Sequence, residues 1–542
     1  MAGLATRSAG RPAARTALVL FRGTDLRLHD HAPLTLAHSG RFDRVLHAFC
    51  FDDDHVGPTT TVDFSRSVQP TGLLKCGVFR AQFLREAVTD LRNSLVARRH
   101  SLVVRSGSTR QVVPALVQRF GVHTVFVHEG EAPEERDRLE ALRLALRTVG
   151  CDLNTSWGNT LYHIDDLPFD PRQHGAFPPT ASNFRTKTEK HSAVRPSLPV
   201  PAMLKPAPDA LPVPATDGDA GEDNGSIPTL ADLVGADVAT TYKQDARGVF
   251  PFVGGETAAL ARLQDYFFDK DCLKDYFHTR NGMLGANYSS KFSPWLSMGC
   301  LSPRLVAQEV QRYEESRVKN KDTYWMLFEL NVRDYFRYYT LHWGSSVFHL
   351  HGPKGKRKVQ ASGGKQWTQD MQLFERWRTG KTGNPMIDAN MRELMATGFM
   401  SNRGRQIVAS FLTRDLGIDW RLGAMHFESL LIDHDPCSNW GNWTYGAGVG
   451  SDPREDRYFS VPKQTSNYDK EHKYIRHWVP EMEHCSKQQL VRQLSRGTRP
   501  KAAFSKKGKG GGGGGGGGGR RGKNKGKGGR KNRNKHGFQQ GH

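Results

Sequence analysis

The stretch Leu431-Ile432-Asp433-His434-Asp435-Pro436-Cys437-Ser438-Asn439-Trp440-Gly441-Asn442-Trp443-Thr444-Tyr445 packs two carboxylates and two asparagines among aromatic rings. Carboxylates set between indoles are costly unless a polar partner meets them. The residues alone leave three partners open: a metal at Asp-His-Asp, a carbohydrate on an aromatic shelf, or an organic cofactor in a cage. Asp-x-Asp is a weak signal by itself, so the decision rests on what surrounds it.

Three blocks of similar character lie upstream. Ser289-Ser290-Lys291-Phe292-Ser293-Pro294 places hydroxyls before a proline, a good helix start whose free N–H groups suit an anion, although ordinary N-caps look the same. In Tyr324–Phe336, an aromatic helix carries Glu329 and Arg333 four residues apart. On a surface such a pair is commonplace and worth a few tenths of a kcal/mol. Among so many rings both charges are expected to face a cavity. Ser401-Asn402-Arg403-Gly404-Arg405-Gln406 is a third polar block, directly before the apolar run Ile407–Leu412.

The chain around these blocks is 542 residues long, too much for one compact domain. At 37% hydrophobic and 10% aromatic it can bury a substantial core. No apolar run nears the roughly 20 residues of a membrane span, so a soluble protein is expected. Seven cysteines without a Cys-x-x-Cys pair point to neither a disulfide framework nor a zinc site, and suit a reducing compartment. Residues 1–16 hold Ala and Arg and no acid, as organelle-targeting segments do. Over 17–160, short β-branched runs at Ala17–Phe21, Val45–Phe51, Ser101–Val104 and Val122–Val127 alternate with helical patterns at Leu73–Arg98, Val112–Phe120 and Glu134–Val149. That alternation predicts a Rossmann-like, doubly wound parallel sheet. No Gly-x-Gly-x-x-Gly follows the first strand, so nucleotide binding there has no local support.

Residues 161–240 read as a linker, extended where prolines crowd between Arg195 and Gly225. Residues 241–490 are mainly helical, and nine of the ten Trp fall at or after Trp295. The tail, 491–542, includes ten consecutive glycines at Gly510–Gly519 and is expected to be disordered. Its last 42 residues hold 13 of the Lys and Arg and no acid, against a net charge of +22 for the whole chain. Such an arm attracts phosphate, of DNA or RNA, or merely solubilises; a nuclear-targeting run has the same composition.

The blocks acquire a single meaning together. Tyr276 to about Pro480 resembles the flavin-binding domain of the DNA photolyase/cryptochrome family. TRNGMLGANYSSKFSPWLSMGCLSPR (Thr279–Arg304), DANMRELMATGFMSNRGRQIVASFL (Asp388–Leu412) and SNWGNWTYGAGVG (Ser438–Gly450) resemble its DASH-type cryptochromes in particular. FRGTDLRLHDHAPL (Phe21–Leu34) fits the family's N-terminal α/β domain, and the likeness covers roughly residues 17–485.

The resemblance implies a U-shaped FAD among the helices. Tyr276 and the loop Ser289, Ser290, Lys291, Phe292 and Ser293 would hold its phosphates. Arg333 and Arg405 would flank it, with the Arg405–Asp433 pair near the isoalloxazine and Asp435 on the ring or its ribityl neighbourhood. Asn439 would face flavin N5. A neutral amide cannot supply a proton there, which favours reduced or anionic flavin. Trp443, Trp420 and Trp367 match the family's electron relay, although any one of them alone would read as core packing. For light-driven repair of cyclobutane pyrimidine dimers, Glu329 and Asn402 would lie beside the flipped lesion and Tyr445 would stack on it. The second stacking position, Trp in photolyases, is Val332 here, a loss of about 1–3 kcal/mol of stacking. That penalises lesions extruded from a duplex more than those in single-stranded DNA. A 5,10-methenyltetrahydrofolate antenna is also implied, with a pterin-contacting acid expected within His128–Glu134.

Three functions follow: a light-driven lyase on single-stranded DNA, a blue-light receptor with little repair, and a nucleic-acid-binding regulator with structural flavin. No membrane association is expected, and a monomer is. Nucleus, cytoplasm and organelle all remain open as compartments.

Overall fold

The computed structural model describes residues 14–52, 73–209, 211, 225–355, 367–450 and 457–498. The N-terminal extension up to residue 13 and the tail from 499 onward lie outside these, but the tail does not begin at 491 as expected: a helix runs on to Gln493, and Leu494 is buried and its carbonyl accepts from Asn384 Nδ2.

Five parallel strands form the N-terminal sheet: β1 (Thr16–Phe21), β2 (Arg44–Phe51), β3 (Val103–Ser106), β4 (Val122–His128) and β5 (Asp152–Ser156), in the order β3-β2-β1-β4-β5. β1 is buried along its whole length, as an apolar central strand covered on both faces must be. β5 was not foreseen. Its sequence, Asp-Leu-Asn-Thr-Ser, is polar because it is an edge strand, and pairing with β4 rather than burial holds it. Helices α1 (Ala32–Ser39), α2 (Val78–Val96), α3 (Thr109–Phe120) and α4 (Pro133–Thr148) accompany the sheet. Pro114 lies inside α3, within its first two turns, and Gly121 ends that helix in the left-handed conformation.

Residues 161–240 are ordered over much of their length rather than a free spacer. Helix α5 (Ala181–His191) buries Phe184 against the helical half. The proline-rich run is extended, as its composition predicts, yet tied down. Arg195 grips Asp166 at 2.6 Å, Leu198 exchanges hydrogen bonds with Asp30, and Val45 N–H donates to the Pro206 carbonyl.

The helical half includes α6 (Glu256–Gln264), α7 (Lys321–Trp343), α8 (Pro385–Thr397), α9 (Asn402–Ser410), α10 (Trp420–Leu430) and α11 (Pro436–Ala447). The Phe21–Leu34 segment clamps this half onto the sheet. Arg27 is fully buried and donates to Asn159, to the Gly299 carbonyl and to the carbonyls of His29 and Asp30. Asp30 takes a two-pronged bond from Arg304 at 2.9 and 2.6 Å, and Glu256 accepts from the backbone of Leu28 and His29. Gly299 has φ +62°, and a Cβ there would stand 1.8 Å from the Thr24 carbonyl, so only glycine allows the two backbones to close. No helix among the described residues is long and apolar enough to cross a membrane.

Candidate functional site: a cofactor cage and an interdomain cleft

The hydroxyl-rich loop is built from behind. Arg262 on α6 donates to the carbonyls of Ala286, Ser289 and Ser290, so these peptides turn their oxygens toward it. Asp265 at 2.6 Å balances that guanidinium. Lys291 adopts φ +63° and is almost fully buried. Its ammonium bonds Ser289 Oγ at 3.0 Å and stacks on Tyr288, with no carboxylate in salt-bridge range among the described residues. Burial, reinforced by Arg262, drives its pKa far down against the pull of Glu393. The Tyr288 hydroxyl and Glu393 Oε1 are also buried without hydrogen-bond partners among the described residues. A buried cation lacking an anion beside unsatisfied polar atoms is the donor set a diphosphate would complete. Burial pushes Glu393 up to about 8, so that carboxyl offers little competing charge.

Tyr276, expected on the phosphates, instead donates its hydroxyl to Glu329. Arg280 completes the clasp on Glu329 at 2.7 Å while lying over the Trp325 ring. Glu329 keeps 34% of its side chain exposed, which leaves it available at the rim. Arg333 does not pair with Glu329. It spends its guanidinium on the carbonyls of Asn159 (2.6 Å) and Leu296 (3.0 Å), and burial lowers its pKa to about 10.

Arg405 and Asp433 form the expected pair, at 3.0 and 2.8 Å to the two carboxylate oxygens. Asp435 caps α11 by accepting from Ser438 N–H, and Arg337 meets it at 2.6 Å. Burial would raise this carboxyl, but Arg337 and Arg333 hold it at about 2. Asn439 ties its Nδ2 to the Ala424 carbonyl at 3.0 Å, and its Oδ1 has no partner among the described residues. Asn402 is exposed at the first position of α9, where Ser401 is the cap. Val332 is half-buried between the two large apolar clusters, and Tyr445 lies under Arg457 at 4.7 Å.

Trp443 and Trp420 are buried in one cluster, with Trp367 packed at its edge. Trp367 adjoins Thr368, which bridges to Ile418 two residues ahead of Trp420, so the chain brings those two segments together. Trp377 and Trp440 also touch the set: Trp377 lies 6.3 Å from Trp443, and Trp440 5.8 Å from Trp420, between ring centroids.

A cavity opens between the halves, lined on the sheet side by residues after β1 (Gly23, Thr24), at the end of β2 (Phe49–Asp52) and after β4 (Glu131, Ala132, Glu134, Glu135). Those are carboxyl ends of strands beside the β1/β4 switch, where doubly wound sheets bind ligands. From the expected His128–Glu134 region, Glu131 faces Arg337, Glu134 pairs with Lys75 at 2.5 Å, and Glu129 bonds Thr155. His128 donates to Asp25 beneath the cleft at 2.8 Å, and His31 stands near the same carboxylate. His31 Nδ1 accepts from Leu34 N–H, so its proton sits on Nε2 and the trio reads as a hydrogen-bond network rather than a ligand set.

Arg337, Arg262 and Arg280 escaped the reading of the sequence. Their signal was faint: each is an arginine embedded among aromatics, and only Arg337 repeats the helical spacing from Arg333.

A parallel sheet joined to a helical half with a buried lysine in a hydroxyl-rich loop and buried tryptophans points to a flavoprotein of the DNA photolyase class. Residues 325–509 match the family described as the FAD binding domain of DNA photolyase, and residues 17–206 match DNA photolyase. The cryptochrome DASH of Gloeobacter violaceus is 47% identical over 469 residues, covering 86% of each chain. The chloroplastic/mitochondrial cryptochrome DASH of Arabidopsis thaliana is 45% identical over 90% of this chain and 82% of that protein. The solved Synechocystis cryptochrome superposes with a TM-score of 0.78 at 41% identity, covering 89% of this chain and 94% of that one. The chain belongs to the DNA photolyase/cryptochrome family as a cryptochrome of the DASH type, a blue-light flavoprotein that binds FAD.

Proposed function

We propose that this flavoprotein repairs cyclobutane pyrimidine dimers in single-stranded DNA under blue light. Reduced FAD, when bound and excited, supplies the electron that splits the dimer. The residues of the chain do the rest. Lys291, with the 289–293 loop, would hold the diphosphate, and Arg405–Asp433 and Asp435 the rest of the cofactor. Asn439 presents an amide oxygen, an acceptor that suits a hydrogen on flavin N5 and so the reduced state. Trp443, Trp420 and Trp367 would bring electrons in from the surface.

The observation that carries the reading is the clasp on Glu329. Tyr276 and Arg280 fix its side chain at the rim, where it can accept a hydrogen bond from a flipped base. Asn402 stands exposed at the start of α9, and Tyr445 offers one stacking face. With Val332 in the other stacking position, a duplex lesion must repay a few kcal/mol of extrusion with one aromatic platform fewer. The interdomain cleft would take the methenyltetrahydrofolate antenna, and the basic tail would add sequence-independent affinity for single-stranded DNA or RNA. The protein would act as a monomer.

Reducing the bound FAD, illuminating, and counting dimers in single- and double-stranded oligonucleotides tests this: loss is expected in single strands and little or none in duplex. No light-dependent loss on either substrate favours the second reading, a photoreceptor without repair, to which Val332 itself lends weight. Recovery of activity in Val332→Trp would then identify the missing stacking face as the cause.

A further inference from the structure

One buried cation joins carboxylates from the two halves. Arg337 on α7 donates through Nη1 to Glu131 Oε2 at 2.6 Å and through Nη2 to Asp435 Oδ2 at 2.6 Å. All three side chains are under a tenth exposed, at 3%, 4% and 7%. Glu131 comes from the loop after β4 and lines the interdomain cleft, as do Arg337 and Asp435 from the helical half. Asp435 caps α11, the helix that carries Asn439 and Trp443. Two carboxylates thus share one guanidinium in a buried setting, where charge acts over longer range than in water. Arg333, the other cation near Asp435, is already spent on two backbone carbonyls. Burial raises the Glu131 carboxyl and Arg337 opposes it, so the Glu131 anion depends on this contact.

We propose that Arg337 couples the cleft to the flavin: a cleft ligand that donates hydrogen bonds to Glu131 frees the guanidinium for Asp435 and thereby favours reduced FAD. The proposal rests on FAD lying beside Asp435, and it adds a regulation of that site. The ligand class is a flat heterocycle with adjacent N–H donors, which meets a carboxylate as a guanidinium does. The sign follows from charge. Asp435 opposes addition of an electron nearby, and a guanidinium no longer shared with Glu131 can turn both of its prongs to Asp435 and relieve that opposition. Coupling is reciprocal, so the reduced protein must bind the cleft ligand more tightly by the same factor. Arg337 acts here through Asp435 and is a positioning residue.

The test uses the full chain loaded with FAD and 5,10-methenyltetrahydrofolate as the probe. Spectroelectrochemistry reads the flavin potential with and without folate, and fluorescence titration reads folate affinity in the oxidised and reduced protein. Folate is expected to shift the flavin equilibrium roughly tenfold toward reduction, about 30 mV for a two-electron couple, with a matching tenfold gain in folate affinity on reduction. Glu131→Gln, which keeps an acceptor but removes the charge, should raise the potential without folate and erase the folate effect. Arg337→Lys, a single point donor, should also erase it. If folate does not bind, the Glu131→Gln potential decides alone. An FAD-loaded protein whose potential moves less than twofold-equivalent in Glu131→Gln, or moves downward, overturns the proposal. A chain that shows no flavin absorbance before any titration defeats the FAD reading instead.

Discussion

Lys291 shows most plainly how a single residue reports a missing partner. Its ammonium is buried with Ser289 as its hydrogen-bond partner, and a charge-assisted bond to phosphate is worth about 1.5–3 kcal/mol. Lys291→Met should therefore weaken FAD binding at least tenfold, read by flavin fluorescence on dilution, while the circular dichroism of the helices stays unchanged. An unaltered affinity would place the diphosphate elsewhere. At this scale the sequence was informative where chemistry is local, as in the Arg405–Asp433 pair. It was uninformative about Tyr276, because nothing along the chain announces that its hydroxyl meets Glu329, 53 residues away.

Between helices, close approach decides the outcome. Gly423 on α10 leaves room for Trp443: a Cβ there would stand 2.3 Å from the indole Cη2. Alanine gains about 1 kcal/mol of helix propensity over glycine, but overpacking a core costs about 1–3 kcal/mol. Gly423→Ala should thus lower stability on balance and displace Trp443, slowing photoreduction of the flavin in a stopped illumination assay if the proposed relay runs through it.

A ring of hydrogen bonds ties the proline-rich strap to the sheet. Lys205 N–H donates to His38 Nδ1, His38 Nε2 meets His47 Nε2 at 2.9 Å, His47 Nδ1 meets His100 Nδ1 at 3.0 Å, and His100 Nε2 reaches the Lys205 carbonyl. The circuit closes only if each imidazole is neutral, and burial holds His38 down to about 3, with His47 and His100 lowered as well. Unfolded histidines take up protons near 6.5 and these do not, so stability is full above about pH 6.5 and falls as pH drops toward 3. His31 and His128, also buried and depressed, add to the same slope. Urea midpoints should decline between pH 7.5 and 5, and His47→Gln, which can both accept and donate, should flatten that decline. An element such as the strap was legible as extended from its prolines. Its docking was not, because histidines scattered over 38, 47 and 100 carry no local pattern, just as polar β5 carried no strand signal.

At the scale of the whole molecule, the order of strand–helix units and the aromatic-rich helical half were readable because burial imposes periodicity over long stretches. The clamp was less so: Asp30, Arg27 and Gly299 lie far apart in sequence and meet only when the halves close. The tail belongs to this scale too. Deleting Lys501–His542 should flatten the salt dependence of binding to a single-stranded oligonucleotide, since each phosphate contact contributes about −0.7 to the logarithmic slope. An unchanged slope would leave the tail no part in that contact.

The helical half that binds FAD, with the proposed indole path to solvent, predicts a simple optical behaviour, read from the visible spectrum of the purified full-length chain during blue illumination with an external reductant. A yellow protein that releases about one FAD per chain on denaturation, and whose oxidised flavin band bleaches in the light but more slowly when Trp443 is replaced by Phe, is the expected result. A colourless chain that takes up no added FAD, or a bound flavin that stays oxidised under illumination, would contradict it.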